Sequence, residues 1–184
     1  MTGMLKNILC SIVLLTVGSS LSIAQEASTA TLRFKAPSGW VEEKASSTMR
    51  VAQYKLPKAP DDTADASLVI YFFGQGQGGS TAANIERWVN QIKQPDGSAS
   101  KDKAKEETGT VNGLKISSVD VAGTYTAEMA PGSGTFYNNP NYRLRAAVIE
   151  TPKGSYYLKL VGPEKTVAKW SESVSDFVRS FEFK

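Results

Sequence analysis

Ser67-Leu-Val-Ile-Tyr-Phe-Phe73 runs straight into Gly74-Gln-Gly-Gln-Gly-Gly79 and then into Ser80-Thr81. Residues 67–73 are almost all apolar and rich in β-branched and aromatic types, so they read as a central strand covered on both faces. The glycines break it. Ser80 or Thr81 supplies a hydroxyl that can cap a helix. Within 82–93, Ile85, Trp88, Val89 and Ile92 recur at i, i+3, i+4 and i+7, which puts them on one stripe of an amphipathic helix. Gln94-Pro95-Asp96-Gly97 ends it.

Upstream, Thr31 to Phe34 starts a strand, Pro37-Ser38-Gly39 is a turn before Trp40-Val41, and Met49 to Leu56 alternates as a half-exposed strand. Lys58 to Asp65 is an acidic loop. Downstream, Ser98 to Glu107 is strongly polar and reads as a mobile surface loop. Asn112-Gly113 is the strongest turn signal, because both central residues of a type I′ turn need positive φ. It joins Thr108-Val111 to a long strand over Leu114 to Thr126. Glu128 to Asn141 is a loop. Tyr142 to Thr151 and Ser155 to Val161 form a second hairpin across Pro152-Lys153-Gly154, and Gly162-Pro163 breaks the chain. A helix over about 165–180 follows, with Val167, Trp170, Val174, Phe177 and Val178 on one face. Hairpins imply an antiparallel sheet, and each apolar helix stripe needs a sheet face to lie on. The expected class is α+β, a mainly antiparallel sheet of about six strands flanked by helices as an α-β-α sandwich. Residues 31–184 are expected to form a single such domain, preceded by a disordered leader at 25–30.

The first residues read as a targeting segment. Lys6 gives a positive start, Ile8 to Val17 is an apolar run, and Ser22-Ile23-Ala24 places small residues where a signal peptidase reads. Residues 1–24 are therefore expected to be a signal peptide cleaved after Ala24, leaving a periplasmic or extracellular protein. A spanning helix needs ~20 apolar residues, about twice this run, so no membrane anchor is expected after cleavage. Cys10 lies inside the apolar run, a poor context for lipidation.

There is no histidine in the chain, and Cys10 is the only cysteine. A chain cleaved after Ala24 has no disulfide, although export permits one. Histidine-based acid–base catalysis, Ser-His-Asp and Cys-His arrangements, and zinc sites of the usual kind are excluded. The formal net charge is +3, with acids and bases interspersed, which lacks the concentrated basic stripe that nucleic-acid binding needs. No cofactor and no metal are expected.

Phe34, Pro37, Gly39 and Trp40 at the domain entrance, a strand with Tyr54, the helix with Trp88, and a last helix finishing in Phe177-Val178-Arg179-Ser180-Phe181 together resemble the PsbP-like fold. This is the sandwich of the extrinsic oxygen-evolving protein of photosystem II, shared by a Ran-binding nuclear import factor. The resemblance spans about residues 31–183 as an order of elements. The chain is also similar to exported bacterial proteins with the same Gly/Gln loop and a Tyr142-Arg143-Leu144 strand. The resemblance implies a noncatalytic binding or assembly factor and carries over no ligand residues.

Gly74, Gly76 and Gly79 satisfy G-x-G-x-x-G, but the helix leads into Pro95-Asp96-Gly97 and a lysine-rich loop where a dinucleotide fold would place a second parallel strand. A P-loop fails too, because Ser80 stands where its lysine should be. The loop reads either as a plain connection or as a presenter of Gln75, Gln77 and the Gly78 backbone to a ligand or partner. Asp61, Asp62 and Asp65 lack the glycine and terminal glutamate of a calcium loop and read as solvated acids. Arg143 and Arg145 share one strand face and either grip a carboxylate or phosphate or pair with acids such as Glu150 or Asp120. Trp40, Trp88 and Trp170 read as core.

The sequence thus points to an exported, noncatalytic binding or assembly-factor domain whose partner is another envelope protein or a small ligand. Its working surface is assigned to the Gly/Gln loop together with the 128–141 loop, through Gln75, Gln77, Gly78, Phe136 and Tyr137, and Arg143 and Arg145 are further candidate binding residues. Two alternatives stand beside it: a carboxylate-dependent envelope hydrolase, which requires two acids facing across a cleft, and a purely structural envelope component.

Overall fold

The computed structural model describes residues 31–184; the targeting segment and the 25–30 leader lie outside the described residues. The elements are β1 (Leu32–Arg33), β2 (Val41–Glu42), β3 (Arg50–Leu56), β4 (Ala66–Phe72), α1 (Thr81–Val89), β5 (Ile92–Lys93), β6 (Lys105–Val111), β7 (Leu114–Tyr125), β8 (Asn139–Thr151), β9 (Gly154–Pro163), α2 (Glu164–Lys169), α3 (Ser171–Arg179) and β10 (Glu182–Phe183). One sheet has eight strands in the order β2-β3-β4-β9-β8-β7-β5, with β6 also paired to β7; a second joins β1 to β10. Every strand pairing is antiparallel.

This corrects the expected six-strand, helix-flanked sandwich: strand dominates, and the three helices are only nine, six and nine residues long. Val89 ends α1, and Ile92 crosses to pair with Tyr125, so the apolar stripe continues as strand β5. The 165–180 helix is interrupted at Trp170, whose indole Nε1 donates to the Pro57 carbonyl at 2.8 Å. The polar stretch expected to be a loop holds a short 3₁₀ turn, Ser100–Asp102, and enters β6 at Lys105. β6 is solvated along nearly its whole length, so its sequence carries no alternation to read. Gly162-Pro163, expected as a break, instead closes β9, paired with Arg143 and Tyr142. A Cβ on Gly162 would lie 2.4 Å from the Ala66 Cβ, so glycine is what lets β4 and β9 approach there.

The long strands β7, β8 and β9 bury alternate residues on the two sheet faces. On one face Val119, Val121, Leu144, Ala146 and Val148 meet Ile85, Trp88 and Val89 of α1. On the other, Leu68, Ile70, Leu158 and Leu160 meet Val174 and Phe177 of α3 and Phe181 beyond it. No helix among the described residues is long and apolar enough to cross a membrane.

The β6–β7 turn is tied to the end of α3. Asn112 has φ +48° and its Nδ2 donates to the carbonyls of Phe181 at 2.9 Å and Arg179 at 3.2 Å. Asn112→Gly keeps the backbone freedom and loses those bonds, at about 1 kcal/mol. Asn112→Ala adds left-handed strain, for a total of about 2 kcal/mol. Urea denaturation of both variants checks this; equal midpoints for Gly and Ala would refute the strain contribution.

Candidate functional site

The Gly/Gln loop leaves the end of β4 and is pinned from inside. The Tyr157 hydroxyl lies within bonding distance of the Gln77 and Gly79 carbonyls, at 3.2 and 3.1 Å. Asn84 Nδ2 donates to the Gly78 and Ser80 carbonyls, both at 2.8 Å, from a side chain that is itself buried. Gly78 has φ +91°, and a Cβ there would fall 2.5 Å from the Tyr157 hydroxyl oxygen. The loop backbone around Gln75 lies against Gly154 of the β8–β9 turn. Ser80 caps α1, accepting from the Ala83 amide at 3.2 Å. Antiparallel neighbours on both sides of β4 remove the parallel β-α-β frame a dinucleotide site needs.

Phe136 and Tyr137 are exposed and lie before the start of β8, at the opposite end of the sheet from the Gly/Gln loop. The Tyr137 ring packs 5.4 Å from Tyr125. Their loop folds around Glu128, whose carboxylate accepts the amides of Gly132 and Gly134 at 3.0 and 2.7 Å. The two loops expected to share one surface are therefore separated by the length of β8.

The acidic loop is occupied by structural bonds. Asp62 Oδ2 accepts both the amide and the hydroxyl of Thr166 at the start of α2, at 2.7 and 2.5 Å. Asp65 accepts the Lys58 amide at 2.8 Å. Glu150 pairs with Lys115 at 3.0 Å. Trp88 is core, while Trp40 is half-buried and its Nε1 donates to Ser173 Oγ at 3.3 Å.

Arg143 and Arg145 do share a face, and that face lines a cleft of about 470 Å³ between α3 and strands β6 to β9. Asp120 of β7 stands directly opposite Arg145 in register, yet it forks onto Arg143: Nε to Oδ1 at 2.7 Å and Nη2 to Oδ2 at 2.6 Å. Arg145 is left a longer contact, Nε to Asp120 Oδ2 at 3.4 Å, and a bond from Nη1 to the Ser171 carbonyl at 3.3 Å. The two guanidiniums respond oppositely. The bond to Asp120 holds Arg143 above its ordinary range, whereas burial pushes Arg145 below it, with Asp120 only partly offsetting. One carboxylate thus serves two partly buried cations, and the better geometry goes to Arg143.

Ile116 and Leu158 lie on the same sheet face as the arginines, and Val174 and Val178 of α3 complete an aliphatic part of the lining. Lys105 and Glu107 close the rim and pair with each other at 2.7 Å. Sequence reasoning named the arginines and Asp120 but missed the rest of this cleft, because α3 and β6 meet only in three dimensions. It also missed Lys159, which points from β9 to the α1 face beside Tyr125 and Gln91. A lone lysine alternating with Tyr157 and Val161 in an otherwise apolar strand is the signal that marks it. Among the described residues, no group of three or more acids, histidines or cysteines is placed to hold a metal ion.

No family model and no curated protein matches the chain. A solved structure from Pseudomonas aeruginosa, PA94, described as a protein of unknown function and candidate regulator, is similar at a TM-score of 0.47 and 12% identity, over 77% of this chain and 94% of that one.

Proposed function

We propose that this chain is an exported, noncatalytic binding domain that seats a small ligand in the cleft between α3 and the sheet. The observation that supports this reading best is Arg145: a guanidinium set into the wall of a cleft, with the carboxylate beside it, Asp120, already forked onto Arg143. Cations in that position bind anions. The volume of about 470 Å³ suits a small molecule. A hydrolytic reading finds no support among the acids of the cleft. Asp120 is clamped between two arginines, and Glu107 is paired with Lys105, so neither is a free proton carrier.

The test is thermal denaturation of the purified protein against a panel of small anions and neutral compounds. At least one is expected to raise the melting temperature, and the shift is expected to vanish in Ser175→Trp, which puts an indole into the cleft from a half-exposed position on α3. A panel without any stabilising compound, or one that stabilises Ser175→Trp equally, would refute the assignment.

A further inference from the structure

We infer that the ligand of the cleft is an elongated amphipathic anion, with one carboxylate or phosphate group on an apolar body. The head group sits at Arg145 beside Arg143, and the body lies along the aliphatic wall. This rests on the proposal that the cleft is the ligand seat.

The charge comes first. The lining holds four cations, Lys105, Arg143, Arg145 and Arg179, against two acids, Glu107 and Asp120. Lys105 is neutralised by Glu107, and Arg179 is turned to Asp176 on its own helix. The uncompensated charge is therefore local to the inner wall, where Asp120 meets two guanidiniums. That is a surplus of one, which matches a single anionic group. Burial around Arg145 strengthens its attraction for an anion relative to a cation in open water.

The apolar half follows from the aliphatic part of the lining. Ile116, Leu158, Val174 and Val178 come from three different elements and converge on the same space. Ile116, Leu158 and Val174 are already buried and Val178 is partly exposed, so an attached chain would gain its hydrophobic contribution mainly over Val178. The elongation follows from a second hollow of about 490 Å³ beneath β6, whose walls share Glu107, Ile116, Ser118 and Val178 with the cleft. The two spaces form one trough, and it continues away from the arginines along Thr108 to Val111.

Isothermal titration calorimetry with acetate, decanoate, decyl phosphate and decyl maltoside, each below its micelle concentration, tests this on the purified protein. Decanoate or decyl phosphate is expected to bind at one per chain, and the tighter of the two identifies the head group. Acetate and decyl maltoside are expected to bind at least tenfold more weakly. Arg145→Gln should weaken the anion about tenfold or more, the loss expected for a charged hydrogen bond. Asp120→Asn should tighten it, because both guanidiniums are then released; misfolding cannot mimic that gain. Equal binding of decyl maltoside, insensitivity to Arg145→Gln, or weaker binding by a folded Asp120→Asn protein overturns the anionic head group. Acetate binding as tightly as decanoate overturns the apolar body. If binding of every probe survives Ser175→Trp unchanged, the cleft itself is not the seat, and the proposed function fails with it.

Discussion

Phe177→Ala is expected to lower the free energy of unfolding by about 3–5 kcal/mol, the range measured for deleting a fully buried aromatic ring. Phe177 is 0% exposed. Its ring stands 5.0 Å from Trp40, 5.1 Å from Phe181, 5.3 Å from Phe34 and 6.0 Å from Tyr54, with the rings tilted or edge-on. These neighbours come from the chain before β2, from β3 and from beyond α3, and the ring stands at the centre of a cluster in which Trp40 also packs on Tyr54 and Phe34 on Phe181. Its removal leaves a cavity walled by rigid rings that cannot collapse into it. Phe177→Leu, which keeps most of the volume, should cost clearly less. Urea denaturation followed by tryptophan fluorescence, with Trp40 as a nearby reporter, measures both. A loss below about 1 kcal/mol for the alanine variant would show that the cluster repacks freely.

Lys159→Met is expected to stabilise the protein near neutral pH. Lys159 Nζ donates to Gln91 Oε1 at 2.6 Å and to the Tyr125 hydroxyl at 3.1 Å, both neutral acceptors. Burial, with a smaller contribution from Arg87, pushes its ammonium down to about 8 from the usual 10.5. In the unfolded chain the amine holds its proton up to 10.5, so between the two values unfolding takes up a proton and stability rises with pH. Below about pH 8 the folded protein carries the full cost of the buried charge, about 3 kcal/mol from the size of the shift. Methionine removes that cost but also loses two hydrogen bonds, so a gain of about 1–2 kcal/mol at pH 7 is expected. Tyr125 acts the other way at higher pH, because burial holds its hydroxyl protonated up to about 12. Urea midpoints should therefore be compared from pH 7 to about 9.5. The wild-type midpoint should climb over that range and the Lys159→Met midpoint should not. Parallel curves for the two proteins would mean that the ammonium is hydrated in the folded state.

What the sequence disclosed depended on whether each signal was local. Asn112-Gly113 located its hairpin because positive φ is demanded by the turn itself, and Val111 indeed pairs with Leu114. The strand at 66–72 was legible from its apolar run, although β8 and β9 share the middle of the sheet with it. The 105–107 part of β6 was hidden because a strand with both faces in water has no hydrophobic period, whereas 108–111 was found through its turn. The break at Trp170 was hidden because the apolar stripe of 165–180 runs through it, and the indole's partner, the Pro57 carbonyl, lies more than a hundred residues away in the chain. At the site, two arginines at alternate positions announced a shared face, and Asp120 was among the partners expected. That one carboxylate would serve both, and serve them unequally, is a property of strand register and could not be read in advance. The two glycine-containing loops looked like partners only because loop composition says nothing about which end of a sheet a loop occupies.

The small β1–β10 sheet bears on how the fold responds to force. Leu32 lies opposite Phe183, and Thr31 exchanges backbone bonds with Lys184 at 2.6 and 3.1 Å. The two strands are antiparallel and residues 31 and 184 sit at the same end of the ladder. Tension applied through those two residues therefore acts across the strands, and the bonds break in succession, as in a zipper. The ring cluster around Phe177 lies inward of that clasp and is loaded only after it has opened.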